Sequence, residues 1–332
     1  MKYSLKDLLR TADLTRSDLL LLFDLAKEMK TEPGQYRKLL RDQSVVLFFA
    51  KSSTRTFISF EAAINRLGAL PISVGPHELQ LGRGETIEDT ARVISSFARA
   101  FVIRTFSDEE VGRFAAAASI PVINALTDGH HPCQSVADLL TMRERFGSLE
   151  DCRLAYVGDG ANNVTHSLME GAALLGMDMA VATPPGYEPN PAVVAWVRAE
   201  IQHSGGRLLL THDPAEAVCD ARAVYTDVWL SMGDATEERA TRAAALAPYR
   251  VDQALMARAA SDALFMHCLP AHRGDEVTAA VIDGPQSVVF DQAANRLPTE
   301  QAILYALIEH KLAGRHGGDA REAVLTMAGR AQ

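Results

Sequence analysis

The strongest constraint on this chain is an alternation: short runs of β-branched and aromatic residues recur between longer amphipathic segments. The runs are SVVLFF (44–49), LPISV (70–74), AFVIRT (100–105), IPVINA (120–125), RLAYVGD (153–159), DMAVATP (178–184), RLLLTHD (207–213), AVYTDVW (223–229), ALFMHCLP (263–270) and SVVFDQ (287–292). Helix-length connections between strands build parallel ladders, and parallel sheets are covered on both faces. The expected class is α/β, with two domains, each a mainly parallel sheet flanked by helices. A length of 332 residues suffices for two cores. "FGSLEDC" (146–152) closes one helix and precedes a fresh strand, so the expected domains are 1–148 and 149–299. A final helix at about 300–315 is expected to pack back on the first domain, with 316–332 as a tail.

A net charge of −9 argues against a nucleic-acid or anionic-membrane surface, either of which needs a basic face. It leaves room for a small anionic substrate, since a pocket can be locally basic. The four cysteines are widely spaced and form no CxxC pair, so a reduced cytoplasmic chain without structural zinc is expected. The opening stretch "MKYSLKDLLRTADLTRSDLLLLFDLAKEMK" has acids among its leucines and reads as amphipathic helix, not as a signal or transit peptide. No apolar run reaches the roughly 20 residues that span a bilayer.

Within "FFAKSSTRTFISFEAAINRLG" (48–68), an apolar strand breaks into hydroxyls and two cations, then resumes as Phe60, Ile64 and Leu67 with helical spacing. The helix therefore starts near Ser53 to Thr56. Its first turn offers unpaired N–H groups and the positive end of the dipole, a natural seat for an anion. Arg55 adds a planar fork suited to phosphate oxygens. The competing reading is an ordinary Ser or Thr cap with Lys51 and Arg55 solvated. A Walker loop is excluded, because GxxxxGK[ST] is absent.

Three further stretches narrow the choice: "HPCQSVADLLT" (131–141), "VGDGANNVTHSLMEGAALLG" (157–176) and "HCLPAHRGDEV" (267–277). With them the chain resembles the aspartate/ornithine carbamoyltransferase family, which transfers a carbamoyl group from carbamoyl phosphate to an amine. The STRT patch, Arg104, HPxQ and the late Leu–Pro pair are common to that family. "DVWLSMG" (227–233), HCLP and the GDGANN turn mark its ornithine branch. The similarity runs in order from about Leu5 to about Leu312.

The resemblance implies roles for particular residues. Ser53, Thr54, Arg55 and Thr56 match the phosphate grip, with Arg104 and Arg296 reaching the same ligand. His131 and Gln134 match the residues that hold the carbamoyl group, and Cys268 and Leu269 also match contacts to carbamoyl phosphate. Arg104, His131 and Cys268 match the catalytic set. Gln80 matches a loop residue that reaches a neighbouring subunit's phosphate site, which implies a homotrimer with shared active sites. Asn163 and Asp227 match the two ends of the amino acid L-ornithine, and Ser231 and Met232 match a loop that closes over it. The implied partners are carbamoyl phosphate and L-ornithine, with no cofactor and no metal. The family also has a cis Leu–Pro bond, here Leu269–Pro270.

The chemistry fits these assignments. Negative charge develops on the carbonyl oxygen as the tetrahedral intermediate forms, and fixed donors there contribute a few kcal/mol each. The attacking alkyl amine has a pKa of about 10.4 in water, so an alkaline optimum is expected. Two positions depart from the family pattern: Phe57 stands where a second Arg is usual, and Pro298 lies where ornithine enzymes usually have His or Trp. Other readings stay open at this stage. These are another acceptor amine such as putrescine or an acylated ornithine, a dehydrogenase using "VGDGANN", and a non-catalytic binding protein of the same fold. The third glycine of GxGxxG is missing, which counts against the dehydrogenase.

Overall fold

The computed structural model describes residues 5–80, 84–229 and 236–313. Among them the helices are α1 Arg16–Thr31, α2 Thr54–Arg66, α3 Ile87–Phe97, α4 Asp108–Ala117, α5 Pro132–Phe146, α6 Asn163–Leu175, α7 Pro191–Ser204, α8 Pro214–Val218, α9 Thr236–Leu246, α10 Gln253–Met256, α11 Ala279–Ile282 and α12 Val289–Ile308. The strands are β1 Ser44–Phe49, β2 Leu70–Val74, β3 Ala100–Arg104, β4 Val122–Leu126, β5 Arg153–Val157, β6 Asp178–Ala182, β7 Leu208–Thr211, β8 Ala223–Tyr225 and β9 Leu264–Met266. The chain divides into two compact units, Met1–Ala137 with Asn295–Gln332, and Asp138–Ala294. These divisions fall inside α5 and α12, whereas the sequence places them after 148 and after 299.

The first unit holds a parallel sheet of order β2-β1-β3-β4. Val46, Phe48, Phe101 and Ile103 from the sheet pack with Ala91, Ile94 and Phe114 from α3 and α4. Phe101 stacks on Phe114 with centroids 4.2 Å apart, and burying one such side chain contributes about 1.5–3 kcal/mol. Register pairs Phe49 with Arg104 and Arg104 with Leu126, so β1, β3 and β4 end together. The strand order reverses between β1 and β3, and parallel sheets bind ligands beyond the carboxyl ends at such a reversal.

The second unit repeats the logic with order β7-β6-β5-β8-β9, again all parallel. Ala155, Val157, Val224 and Phe265 pack with Val281 and Ile282 in its core. Tyr156 pairs with Tyr225, and Tyr225 with Met266, so β5, β8 and β9 end at one edge. The order reverses between β5 and β8. The residues leaving that edge are Gly158 to Asn163, Thr226 and Asp227, and His267 and Cys268.

Nine of the ten expected runs contain a strand. The tenth, SVVFDQ, is corrected: Ser287 forms one isolated bridge with Phe265, and the chain then enters α12. Its burial has helical spacing, with Val289, Gln292 and Arg296 inside and Phe290 70% exposed. The helix expected at about 300–315 runs Val289–Ile308 instead. The tail, 316–332, lies outside the described residues.

Candidate functional site

Each unit carries a cluster of polar side chains where its strands end. In the first unit, Ser53 caps α2 by accepting the Thr56 N–H at 3.3 Å. Thr54 begins the helix and is exposed, Arg55 is half-buried, and Thr56 is buried. Phe57 turns onto Phe49, edge to face at 5.3 Å, which accounts for an apolar residue at that departure from the family pattern. Lys51 is no solvated flank: it pairs with Asp128 and lies 4.2 Å over the Phe106 ring.

Arg296 of α12 ties this helix start to α5. Its Nη2 donates to Thr56 Oγ1 at 3.1 Å, and its Nη1 donates to Gln134 Oε1 at 2.6 Å. Nε and Nη2 both donate to Glu300 Oε1, at 3.1 and 2.7 Å. Burial pushes the Glu300 carboxyl up to about 7 despite the guanidinium beside it. His131 precedes Pro132, and its carbonyl accepts the N–H groups of Gln134 and Ser135 as α5 starts. The imidazole is buried. Burial, with Arg296 and Arg104 nearby, holds its pKa well below the usual histidine range, so it is neutral at pH 7. A neutral ring donates one hydrogen bond without bringing a charge that must be desolvated.

Thr56, Gln134 and Arg296 are therefore joined by hydrogen bonds, and the charges of Arg104 and Arg296 reach His131. Gln80 stands apart, exposed between β2 and α3, with no described hydrogen bond to this cluster.

In the second unit, Asp227 follows β8 and is the centre of the other cluster. The Cys268 thiol donates to Asp227 Oδ1 at 3.0 Å, the Val228 N–H donates to the same oxygen at 2.8 Å, and Asn162 Nδ2 donates to Oδ2 at 3.0 Å. Asn162, which the sequence reading passed over for Asn163, is the N-cap of α6. Its Oδ1 accepts the Val164 N–H at 2.7 Å, which turns its amide toward Asp227. Gly160 in this turn is steric in origin, since a Cβ there would lie 2.7 Å from the Tyr187 carbonyl. Arg242 of α9 pairs with Asp159 and also donates to the Trp229 carbonyl. Ser231 and Met232 lie outside the described residues.

The Leu269–Pro270 bond is cis, as the resemblance implied, and Leu269 has φ 61°. His267 Nδ1 accepts the Leu269 N–H at 2.8 Å, so its proton sits on Nε2, which faces buried Glu276 Oε1 at 3.3 Å. The His267 backbone N–H donates to Gln292 Oε1, and Gln292 Nε2 donates to Asp138 and to the Tyr225 hydroxyl. Asp227, His267 and Cys268 each offer a potential ligand atom, and these atoms lie within 4.8 Å of one another. Both His267 nitrogens are already engaged, so the donor set suits a hydrogen-bonded cluster and not a resident cation. His272, Asp275 and Glu276 form a second such group on the following loop.

Sequence comparison agrees with this two-part layout. The profile for "Aspartate/ornithine carbamoyltransferase, carbamoyl-P binding domain" matches residues 6–144. The profile for the "Asp/Orn binding domain" of the same family matches residues 150–307. The ornithine carbamoyltransferase of Parafrankia sp. is 51% identical over 305 residues, covering 91% of this chain and 96% of that one. The Bacillus subtilis enzyme of the same name is 47% identical over 303 residues, covering 91% and 94%. Among solved structures, ornithine carbamoyltransferase from Pyrococcus furiosus superposes with a TM-score of 0.87 at 45% identity, covering 92% of this chain and 98% of that one. With both profiles matched in order over most of its length, this chain belongs to the aspartate/ornithine carbamoyltransferase family.

Proposed function

We propose that the chain transfers the carbamoyl group of carbamoyl phosphate to the side-chain amine of L-ornithine, giving L-citrulline and phosphate. The observation that carries this reading is the Arg296 fork holding Thr56 and Gln134 together beside a neutral, buried His131. Ser53, Thr54, Arg55 and Thr56 grip the phosphate with Arg104 and Arg296, because a helix start flanked by guanidiniums favours a dianion. His131 and Gln134 hold the carbamoyl group, and His131 with Arg104 meets the charge that develops on its carbonyl oxygen. Cys268 and Leu269 add contacts to the same substrate, and Gln80 serves a neighbouring subunit.

The neutral amine attacks the carbonyl carbon, and the C–O bond to phosphate then breaks. The amine loses one proton and the departing phosphate gains one, so neither cofactor nor metal is required for balance. Asp227, held by Asn162 and Cys268, accepts the α-ammonium of ornithine, which a second carboxylate such as that of aspartate would not satisfy. Asn163 serves the carboxylate end, and Ser231 with Met232 covers the amino acid. The name shared by the Parafrankia and Bacillus subtilis relatives favours ornithine as acceptor.

Self-association as a trimer is supported by the apolar side chains that the first unit leaves exposed, notably Leu70 on edge strand β2 and Phe97 at the end of α3. A cytoplasmic location is supported by four free cysteines. No described helix is long and apolar enough to cross a membrane.

The test is citrulline formation with ornithine, putrescine, N-acetylornithine and aspartate offered separately. Turnover with ornithine alone, faster at alkaline pH, is the expected result. No carbamoylated product from any amine would overturn the reading.

A further inference from the structure

We propose that Glu300 is a positioning residue of the carbamoyl-phosphate half-site: it fixes the Arg296 guanidinium against Thr56 and Gln134 and offsets part of the charge that attracts the phosphate. The proposal rests on the function proposed above. Glu300 lies one helical turn beyond Arg296 on α12, fully buried, and takes two of its N–H groups on a single oxygen. That grip fixes the plane of the guanidinium. The remaining edge then meets Thr56 from α2 and Gln134 from α5, two segments already assigned to the same substrate. A lone buried arginine would be free to rotate about its terminal torsions, whereas this one has its orientation set from three helices.

The same carboxylate also matters through its charge. The groups that act on it or on its partner are Arg296 on α12, the Ser59 hydroxyl on α2, the Cys133 thiol on α5 and His131 at the start of α5, which Arg104 at the end of β3 also reaches. Burial keeps Cys133 protonated, well above the ordinary thiol range, and keeps His131 neutral. The arginines stay charged throughout. Glu300, pushed up by burial to about 7, is then the member of this set that changes charge near neutrality. Protonated, it leaves Arg296 uncompensated and the site more positive. Ionised, it neutralises Arg296 and weakens the pull on a dianion. Carbamoyl phosphate is therefore held more tightly on the acid side of this titration.

The two parts of the proposal separate experimentally in Glu300→Gln and Glu300→Ala, with Arg55→Ala as a control. At each pH from 6 to 8.5, KM for carbamoyl phosphate is measured at saturating ornithine, and the wild-type value is divided by that of Glu300→Gln. Division cancels the titration of the substrates themselves. The ratio should be near one at pH 6 and rise to roughly fivefold at pH 8.5, the scale of one partly screened charge at close range. A ratio that stays flat overturns the charge offset.

At pH 6, where wild-type Glu300 is mostly neutral, Glu300→Gln should retain kcat/KM within about twofold, while Glu300→Ala loses about tenfold through misorientation. Equal activity of the two variants at pH 6 overturns the positioning role. If Glu300→Ala does not fold by circular dichroism, the orientation arm passes to Glu300→Met, under the same criterion. Arg55→Ala should raise KM for carbamoyl phosphate severely at every pH. An unaffected Arg55→Ala would refute the phosphate seat itself, and so distinguishes failure of that reading from failure of the Glu300 proposal.

Discussion

Glu300 and Asn162 each act on a partner, one holding a cation and the other a carboxylate. The Glu300 carboxyl has a folded-state pKa raised from 4.5 to about 7, so folding favours its protonated form. Its contribution to stability is full below the unfolded value and is lost as pH rises through the folded one. Glutamine does not titrate. Glu300→Gln should therefore gain stability over the wild type between roughly pH 4.5 and 7, by on the order of 3 kcal/mol, and hold that advantage above it. Denaturant melts at pH 4.5, 6 and 8 check this, and a difference independent of pH would contradict it. Asn162 donates to Asp227 while capping α6. Asn162→Ala should raise KM for ornithine about tenfold, the scale of one hydrogen bond to a charged group, and leave KM for carbamoyl phosphate unchanged. Equal effects on both substrates would mean that the residue serves the fold alone.

At the scale of single elements, the start of α2 concentrates structure and chemistry in one turn. Ser53→Ala removes the acceptor for the Thr56 N–H and should cost about 1 kcal/mol in urea unfolding. Because Thr56 also accepts from Arg296, KM for carbamoyl phosphate should rise as well. This element was legible in the sequence, since a strand, a hydroxyl patch and a 3.6-residue period leave little choice of boundary. The strands were legible for a similar reason: continuous apolar runs separated by helix-length segments fit a parallel sheet. The start of α12 was not. Val288, Val289 and Phe290 have the β-branched and aromatic character of a strand, and the first step, the bridge of Ser287 to Phe265, is extended. A helix start near 300 leaves Arg296 and Glu300 on opposite sides of an element boundary. Within one continuous helix their four-residue spacing makes an ion pair. Asn162 and Asn163 pose a finer difficulty: either can cap a helix, and only the backbone decides which side chain faces Asp227.

On the scale of the whole molecule, apolar exposure is uneven. Six of the seven exposed large apolar side chains among the described residues belong to the first unit. Leu70→Glu combined with Phe97→Ser should shift the proposed trimer to monomer in sedimentation at micromolar concentration, because a charge in an apolar subunit contact is costly to bury. Unchanged sedimentation would place the subunit contacts elsewhere. A separate consequence lies in the ladders themselves. Every strand pair in both sheets is parallel, so no pair closes through a hairpin, and each waits for its crossover to be spanned. Loop-closure entropy is spent before those contacts form, which makes the refolding nucleus non-local and slow. While β2 waits, its apolar edge is open to other chains. Yield from denaturant should thus depend on dilution far more than on final stability, and a chaperone that isolates single chains should raise it.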